Sequence, residues 1–342
     1  MSDTGNLNYR WSRRIVSQLY SFGVKTVCIS PGSRNTPLTL AFLEHGKYDC
    51  VSHVDERSGA FFALGVALKT QKPVAILSTS GTATANFLPA VIEASQSRVP
   101  LIILTADRPP YLIGTGANQT ILQKDIYGYY VRSSKNLGLP SDEFTNVNSS
   151  ISIALQMATG VNWNNERVSP QGPIHLNIPF EEPLYSSDRI KEKIKIESTN
   201  QFPPSIVVEP EIEIPDSNFP LIVCGRLPIG FDSTPIIELS SYLNAPILAD
   251  PLSQIRYGEN HPNIVSSYDH FLKLKNISPD LVIRIGQKPV SKILCEKLAQ
   301  WNDFTVLIDA CGRFNDDCNL VLSEKIESAV HFIKSKVTPS EP

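Results

Sequence analysis

The chain has 342 residues, enough for two domains of ordinary size, and its 42% hydrophobic and 19% charged residues are typical of a globular protein. A net charge of −3 and a pI near 6.1 argue against general binding to nucleic acid or anionic membranes, which requires a basic surface. The longest apolar runs have only the length of a strand, and the first residues contain no apolar signal core. We therefore expect a cytoplasmic protein without a membrane span.

The first half of the chain alternates between helical and strand patterns. Apolar residues recur every four positions from Leu7 to Leu19, which predicts an amphipathic helix that ends near Gly23. Further along, we predict strands at 25–30, 51–54, 73–78, 100–106 and 172–179, and helices at 36–45, 59–69 and 83–96. Short buried strands that alternate with helices predict a mostly parallel sheet with helices on both faces.

Residues 181–216 change character, since charge, proline and serine rise while helical periodicity fades. We therefore divide the chain into a first domain at 1–185, a linker at 186–216 and a second domain at 217–336. In the second domain we predict strands at 219–225, 245–250, 280–286 and 304–309, and helices at 234–243, 268–275, 289–300 and 323–335. The predicted fold class is α/β, with two doubly wound domains built on mostly parallel sheets.

Cysteine and histidine spacing gives no sign of a metal site. The six cysteines form no CxxC or paired zinc spacing, and the six histidines form no HxH or HExxH set. Cys28, Cys50 and Cys224 lie in apolar strand-like runs, where a reduced cysteine behaves as a small hydrophobic residue. We expect structural thiols in a reducing compartment.

Polar clusters follow the predicted strands of the first domain at their carboxyl ends. They are SPGSRNTP (30–37), DER (55–57), STSGTATAN (78–86) and ADRPP (106–110), and GTGANQT (114–120) follows in the next loop. In open parallel sheets, ligands bind at this edge, and helix N-termini with Ser, Thr and Gly donors favour anionic groups or polar ring atoms. We interpret the coincidence of these clusters as a ligand site.

Each cluster also has a purely structural interpretation. Ser33, Asn35 and the residues from Thr79 to Gly81 are candidate helix caps, Arg108 a solvated loop arginine, Asn118 and Gln119 an ordinary turn, and Glu56 a carboxylate favoured by a helix dipole. Glu56 is the most unusual of them, because the helix that follows it shows no polar face before Lys69. Since burying an unpaired charge is costly, a carboxylate at the start of an apolar helix favours a functional role.

Several of these motifs together resemble one enzyme family. The segments SPGSRNTPL, HVDERSGAFFALGVAL, TSGTATANFLPAVIEA, LTADRPP and GANQTI are similar to the N-terminal half of the 2-succinyl-5-enolpyruvyl-6-hydroxy-3-cyclohexene-1-carboxylate synthases. These are thiamine-diphosphate enzymes of menaquinone and phylloquinone biosynthesis. The resemblance runs from about residue 8 to 185 and continues more loosely to about 335, through VIRIGQKPVSK.

The resemblance implies a role for Glu56. In this family the pyrimidine-binding domain supplies a glutamate that hydrogen-bonds N1′ of the cofactor's aminopyrimidine ring, and Glu56 matches it; Thr79, Ser80 and Gly81 are expected to bind the cofactor too. A carboxyl group in an apolar pocket has a raised proton affinity, so it can share a proton with a ring nitrogen. The apolar helix after Glu56 would then supply a dry wall.

The implied reaction is the decarboxylation of 2-oxoglutarate, followed by addition of the succinyl carbanion to isochorismate. By resemblance, the substrate-binding residues are Ser33, Arg34, Arg108, Asn118, Gln119 and, on a weaker match, Lys292. Arginine forks pair bidentately with carboxylates, which suits two anionic substrates. For Lys292 the alternative of a solvated helix lysine stays open.

Family members have a third, diphosphate-binding domain, in which a Gly-Asp motif and a later Asn hold Mg²⁺. This chain contains no Gly-Asp dipeptide, so we expect the Mg²⁺ ligands to lie outside it and the chain to be the pyrimidine-binding and central domains of a longer enzyme. Active sites of the family form between subunits, which implies a homodimer or homotetramer.

Two other interpretations stay open. A different thiamine-dependent decarboxylase or carboligase, such as a relative of acetolactate synthase, shares the glutamate and the alternating sheet but not SPGSRNTPL, LTADRPP and GANQTI together. A non-catalytic carboxylate-binding or regulatory module would use the same arginines without the cofactor.

Overall fold

A computed structural model describes residues 4–160, 170–186, 214–258, 261–309 and 318–338. The chain divides into two compact units, Met1–Pro203 and Pro204–Pro342. Most of the predicted linker lies outside the described residues, so the domain boundaries proposed from the sequence stay predictions.

The first unit is built on a parallel sheet. Its strands are Thr26–Ile29 (β1), Asp49–Ser52 (β2), Val74–Ser78 (β3), Leu101–Asp107 (β4), Ser133–Asn136 (β5) and Ile174–Pro179 (β6), and its helices are Thr4–Ser21 (α1), Thr36–His45 (α2), Glu56–Thr70 (α3), Thr82–Ala85 (α4), Leu88–Gln96 (α5) and Thr145–Thr159 (α6). The strand order is β2-β1-β3-β4-β6-β5, and every described pairing is parallel. The carboxyl ends of the strands therefore share one edge.

Alternate residues of the buried strands serve two separate cores. Along β4, Ile102 and Leu104 pack with α1, α2 and α6, whereas Leu101 and Ile103 pack with α3 and α5. This alternation explains why the central strands read as continuous apolar runs, since both faces of the sheet are covered by helices.

The second unit repeats this architecture. Its strands are Pro220–Cys224 (β7), Ile247–Ala249 (β8), Ile264–Val265 (β9), Leu281–Ile285 (β10), Thr305–Ile308 (β11) and Leu320–Leu322 (β12), and its helices are Thr234–Leu243 (α7), Tyr268–Leu274 (α8), Lys292–Gln300 (α9) and Ile326–Lys336 (α10). The parallel order is β12-β11-β10-β7-β8-β9. Helices α7 and α10 cover one face, and α8 and α9 the other. The predicted α/β class with doubly wound parallel sheets is confirmed.

Local details depart from the sequence-based elements. The single helix predicted at 83–96 is two helices, α4 and α5, and Pro89 lies in the first turn of the second, where its missing N–H costs no hydrogen bond. The polar strand β5 and the helix α6 were not predicted; β5 has the sequence SSKN, which carries no apolar signal. Within the described residues, none of the helices has the length and apolarity that crossing a membrane would need.

Burial accounts for Cys28 and Cys224, one in each sheet, whereas Cys50 of β2 is only partly buried. Cys28 and Cys224 are buried free thiols, and burial raises the pKa of Cys28 to about 11 and that of Cys224 to about 12. Such thiols stay protonated and unreactive at neutral pH, in keeping with the structural role expected for them. Cys311 lies outside the described residues.

Candidate functional site

The polar clusters of the first unit lie along the carboxyl edge of its sheet, and several touch one another. A Cβ atom at Gly32, after β1, would stand 2.4 Å from Cβ of Thr79, after β3. Gln119 Nε2 donates a hydrogen bond of 3.0 Å to the carbonyl oxygen of Ser80. The segments that follow β1 and β3 and the loop at 114–120 are thus packed together, as the sequence pattern predicted for a parallel sheet.

Glu56 is the first residue of α3. The side chain of Asp55 caps this helix by accepting a 2.6 Å hydrogen bond from the backbone N–H of Ser58. The side chain of Glu56 is therefore not the helix cap. Glu56 is partly exposed, and Asn86 Nδ2 lies 3.5 Å from its Oε2. Its carboxylate is therefore accessible to a ligand at the carboxyl edge of the sheet.

The apolar helix α3 is only half covered by the rest of the chain. Ala60, Ala63 and Leu64 are buried against the sheet, while Phe61 and Phe62 are 43% and 45% exposed. We expected this helix to exclude water from Glu56, and the described residues alone do not do so.

The turn from Thr79 to Gly81 is shaped for close approach. Gly81 has φ of +82°, a conformation that favours glycine, and a Cβ there would stand 2.8 Å from Gln119 Cγ. The hydroxyl oxygens of Ser78 and Ser80 are buried and have no hydrogen-bond partner among the described residues. Since unpaired buried hydroxyls are costly, they mark a place where a ligand or water can contribute polar atoms.

The two arginines of the edge have different surroundings. Arg34 is buried, with Nη1 donating to the carbonyl oxygen of Phe180 at 3.0 Å and Nη2 to Glu182 Oε1 at 2.7 Å. Arg108 is half-buried, and its guanidinium makes no hydrogen bond within the described parts of the chain. Burial lowers the pKa of Arg108, as does the charge of Arg34, while Glu182 and Asp107 oppose the shift. Arg108 is the arginine left open to an anionic ligand.

The remaining residues predicted from the sequence are exposed. Ser33 precedes α2 without capping it, and Asn118 lies in the loop beside Gln119, which adopts a left-handed φ of 55°. Lys292 belongs to the second unit, where it begins α9, is 89% exposed and lies 3.8 Å from Glu296. These contacts are those of the solvated helix lysine that was the alternative for Lys292.

Three further candidates at this edge are buried polar residues that the sequence analysis did not single out, although Asp107 lies within the cluster ADRPP. Asp107, Gln123 and Asn177 are each at most 1% exposed. Gln123 donates a hydrogen bond to Asn177, and Asn177 donates one to Asp107. A signal existed for Asn177, because a polar residue within a fully buried strand, here β6, needs partners. Gln123 gave no such signal, since its segment reads as an ordinary loop.

A buried histidine lies beneath the same edge. His175 Nε2 is 2.7 Å from Thr105 Oγ1, its Nδ1 is 3.4 Å from Ser134 Oγ, and its ring packs edge-on against Tyr127 at 4.8 Å. Burial lowers its pKa to about 3, although the charge of Asp125 acts in the opposite direction. His175 is therefore a neutral, structural residue at physiological pH.

This burial predicts a loss of stability in acid. The folded chain keeps His175 neutral down to a pKa of about 3, whereas the unfolded chain takes up the proton near pH 6.5. The stability is therefore complete above pH 6.5 and falls at lower pH, by up to about 1.4 kcal/mol per pH unit. Urea unfolding between pH 7 and pH 4 should show that the advantage of the parent over His175→Gln shrinks as the pH falls. A difference that stays constant with pH would contradict the assignment.

Comparisons with known proteins show which enzymes this chain is similar to. A family model described as the thiamine pyrophosphate enzyme, N-terminal TPP binding domain, matches residues 10–126. The chain is 38% identical over 328 residues to the 2-succinyl-5-enolpyruvyl-6-hydroxy-3-cyclohexene-1-carboxylate synthase of Dechloromonas aromatica (strain RCB), covering 92% of this chain and 60% of that protein. It is 40% identical over 337 residues to the synthase of the same name from Haloquadratum walsbyi (strain DSM 16790 / HBSQ001), covering 91% and 53%.

A third relative and a solved structure extend the comparison. The synthase of the same name from Bacillus pumilus (strain SAFR-032) is 39% identical over 335 residues, covering 93% of this chain and 56% of that protein. This chain thus spans between half and two thirds of the length of these relatives. The crystal structure of benzoylformate decarboxylase from Polynucleobacter necessarius superposes with a TM-score of 0.66 at 18% identity, over 96% of this chain and 62% of that one, which shows a shared fold.

Proposed function

Because the chain belongs to the 2-succinyl-5-enolpyruvyl-6-hydroxy-3-cyclohexene-1-carboxylate synthase family of thiamine-diphosphate enzymes, we propose that it supplies the pyrimidine-binding side of such an active site. The observation that carries this proposal is the position of Glu56. It begins an apolar helix at the carboxyl edge of the sheet, on the same edge as the Gly81 turn and the two arginines.

The residues of this edge fit a thiamine-diphosphate cofactor. Buried Ser80 supplies a hydroxyl without a partner among the described residues, and the backbone of Gly81 packs closely against Gln119. In this proposal Glu56 holds or shares a proton at a nitrogen of the aminopyrimidine, and Thr79, Ser80 and Gly81 line the ring. When bound, the cofactor supplies the electron sink that a decarboxylation of a 2-oxo acid requires.

The proposed substrates are 2-oxoglutarate and isochorismate, both carboxylates. Arg108 is the group of this chain that binds a substrate carboxylate, because its guanidinium is not engaged by the described residues. Arg34, which is tied to Phe180 and Glu182, orients the segment beside it. Ser33, Asn118 and Gln119 are exposed at the same edge and are proposed to complete the polar contacts; we propose Lys292 only as a further contact of the second unit.

Further parts of the proposal concern the metal and the assembly. Mg²⁺ is proposed to accompany the cofactor's diphosphate; the described residues contain no group of three or more His, Cys, Asp or Glu side chains that could hold a metal ion. A homodimer or homotetramer in the cytoplasm is proposed by family membership. Large apolar side chains exposed on the first unit, Val54, Phe61, Phe62, Leu122 and Tyr129, support an assembled form.

The proposal is tested by assaying the chain with thiamine diphosphate, Mg²⁺, 2-oxoglutarate and isochorismate. The assay follows CO₂ release and the mass of the product, first with the chain alone and then with the separately produced C-terminal part of the Dechloromonas aromatica relative. We expect cofactor-dependent CO₂ release in at least one of these mixtures, and an adduct that combines both substrates.

Other outcomes separate the alternatives. CO₂ release from a different 2-oxo acid, with none from 2-oxoglutarate, would instead favour another thiamine-dependent carboligase. Carboxylate binding that needs neither thiamine diphosphate nor Mg²⁺, without any turnover, would favour the non-catalytic module.

A further inference from the structure

Gln123 is a fully buried residue whose amide connects the ends of three strands. Its Oε1 accepts a 2.8 Å hydrogen bond from the backbone N–H of Gly81, which follows β3. Its Nε2 donates to the carbonyl oxygen of Ala106 in β4 at 3.2 Å and to Oδ1 of Asn177 in β6 at 2.9 Å. No atom of Gln123 is exposed at the edge, so it acts through the groups that it holds.

The side chain of Asn177 makes further hydrogen bonds, and its Oδ1 also accepts one of 2.8 Å from Thr105 Oγ1. Its Nδ2 donates to Asp107 Oδ2 at 2.8 Å, and the other carboxylate oxygen of Asp107 accepts from the backbone N–H of Arg108 at 2.7 Å. An ionised carboxylate only accepts, so Asn177 must turn its NH₂ group toward Asp107 and its oxygen toward Gln123. Gln123 must then present its own NH₂ to Asn177 and its oxygen to Gly81. The two ends dictate the orientation of both amides.

We propose that Gln123 and Asn177 form a relay of buried amides that fixes the Gly81 turn and the Asp107–Arg108 segment relative to each other. The catalytic meaning of this inference rests on the function proposed above, in which Gly81 lies at the cofactor end and Arg108 at the substrate end. Gln123 is then a positioning residue, since it sets the separation of two ligand-binding groups without contacting a ligand.

The relay can be measured through the pKa of the Asp107 carboxyl group, which lies at one end of it. Burial raises the pKa of Asp107, whereas the hydrogen bonds from Asn177 and Arg108, and the charges of Arg108 and Arg34, lower it. Glu182 is the other carboxylate near these arginines. Gln123 has no described hydrogen bond to Asp107, so a change at Gln123 reaches the Asp107 carboxyl group through the orientation of Asn177 and through the carbonyl group of Ala106, the preceding residue.

The test is a ¹³C NMR titration of the Asp107 carboxyl group in the 342-residue chain and its Gln123→Met variant. Methionine keeps the length and apolar volume of the side chain but removes both polar ends, so Asn177 Oδ1 loses one of its two donors and keeps the hydroxyl of Thr105. The titration midpoint of Asp107 is expected to rise by about half a pH unit or more, because the carboxylate loses a well-directed donor.

Gln18→Met is the matched control. Gln18 is another buried glutamine, on α1, and its Nε2 donates to the carbonyl oxygen of Asn148 at 2.6 Å and to Ser152 Oγ at 2.7 Å. This variant also loses buried hydrogen bonds, yet it should leave the Asp107 midpoint unchanged. A purely structural role for Gln123 would make the two variants behave alike, and a folded Gln123→Met chain with an unchanged Asp107 midpoint would overturn the relay.

Two further measurements keep the inference decidable. If Gln123→Met does not fold, the parent chain is measured by NMR instead. The side-chain NH₂ protons of Gln123 and Asn177 should exchange slowly with solvent and show nuclear Overhauser contacts that run from Gly81 toward Asp107. The absence of slow exchange and of these contacts would overturn the relay. In the synthase assay, Gln123→Met should lower kcat/KM about tenfold or more. A parent protein without synthase activity would count against the proposed function, while the titration would still decide the relay.

Discussion

Replacement of Glu56 by glutamine is expected to lower cofactor-dependent turnover by at least about 100-fold, the usual minimum for loss of a positioned acid–base group. Glutamine has nearly the same shape, but its amide cannot hold or share a proton with a ring nitrogen. The fold should be unaffected, because Glu56 is partly exposed and its described side-chain contact is the 3.5 Å approach of Asn86. Initial rates of CO₂ release and the thermal unfolding midpoint are the measurements.

Glu143→Gln provides the control for this substitution. Glu143 is an exposed glutamate of the same unit that follows β5, at the opposite end of the strand order from β2, which Glu56 follows. Its replacement therefore makes the same change of charge outside the predicted polar clusters. Its turnover should equal that of the parent. If Glu56→Gln kept turnover within about threefold of the parent, the assignment of Glu56 as the acid–base group would be wrong.

Arg108→Met is expected to weaken substrate binding with little effect on stability, whereas Arg34→Met is expected to lower stability. The guanidinium of Arg108 has no described hydrogen-bond partner, so its loss should raise the KM for a carboxylate substrate by about 10- to 100-fold, the range for a hydrogen bond between charged groups. Its effect on stability should be small. Steady-state kinetics with each substrate varied in turn identifies the carboxylate that Arg108 binds.

Arg34→Met should mainly reduce stability. The variant leaves the carbonyl oxygen of Phe180, a fully buried residue, without its arginine donor, which costs about 1–3 kcal/mol of unfolding free energy. Urea unfolding of the two variants side by side measures this difference. If Arg108→Met were less stable than Arg34→Met and bound both substrates normally, the different roles assigned to the two arginines would be wrong.

The sequence alone was sufficient for the fold class and for the edge of the sheet at which the polar clusters lie. Strands such as β3 and β4 are apolar on both faces, which only a parallel sheet covered by helices can bury, and they alternate with helices. In a parallel sheet all carboxyl ends lie at one edge, so the polar clusters could be assigned to one site without coordinates. The resemblance to the synthase family could also be recognised without coordinates, because each of the five motifs that carry it is a continuous segment of the chain.

The tertiary structure decided which polar side chains at this edge are held by hydrogen bonds within the described chain and which are left open. Gln123 and Asn177 are 54 residues apart, and neither segment on its own shows that the two amides meet. Arg34 and Arg108 both follow strands of one sheet and look alike in the sequence. Only folding brings Phe180, 146 residues from Arg34, to within 3.0 Å of its guanidinium and leaves Arg108 open. A hydrogen bond depends on distances set by packing, and residue type and spacing do not contain those distances.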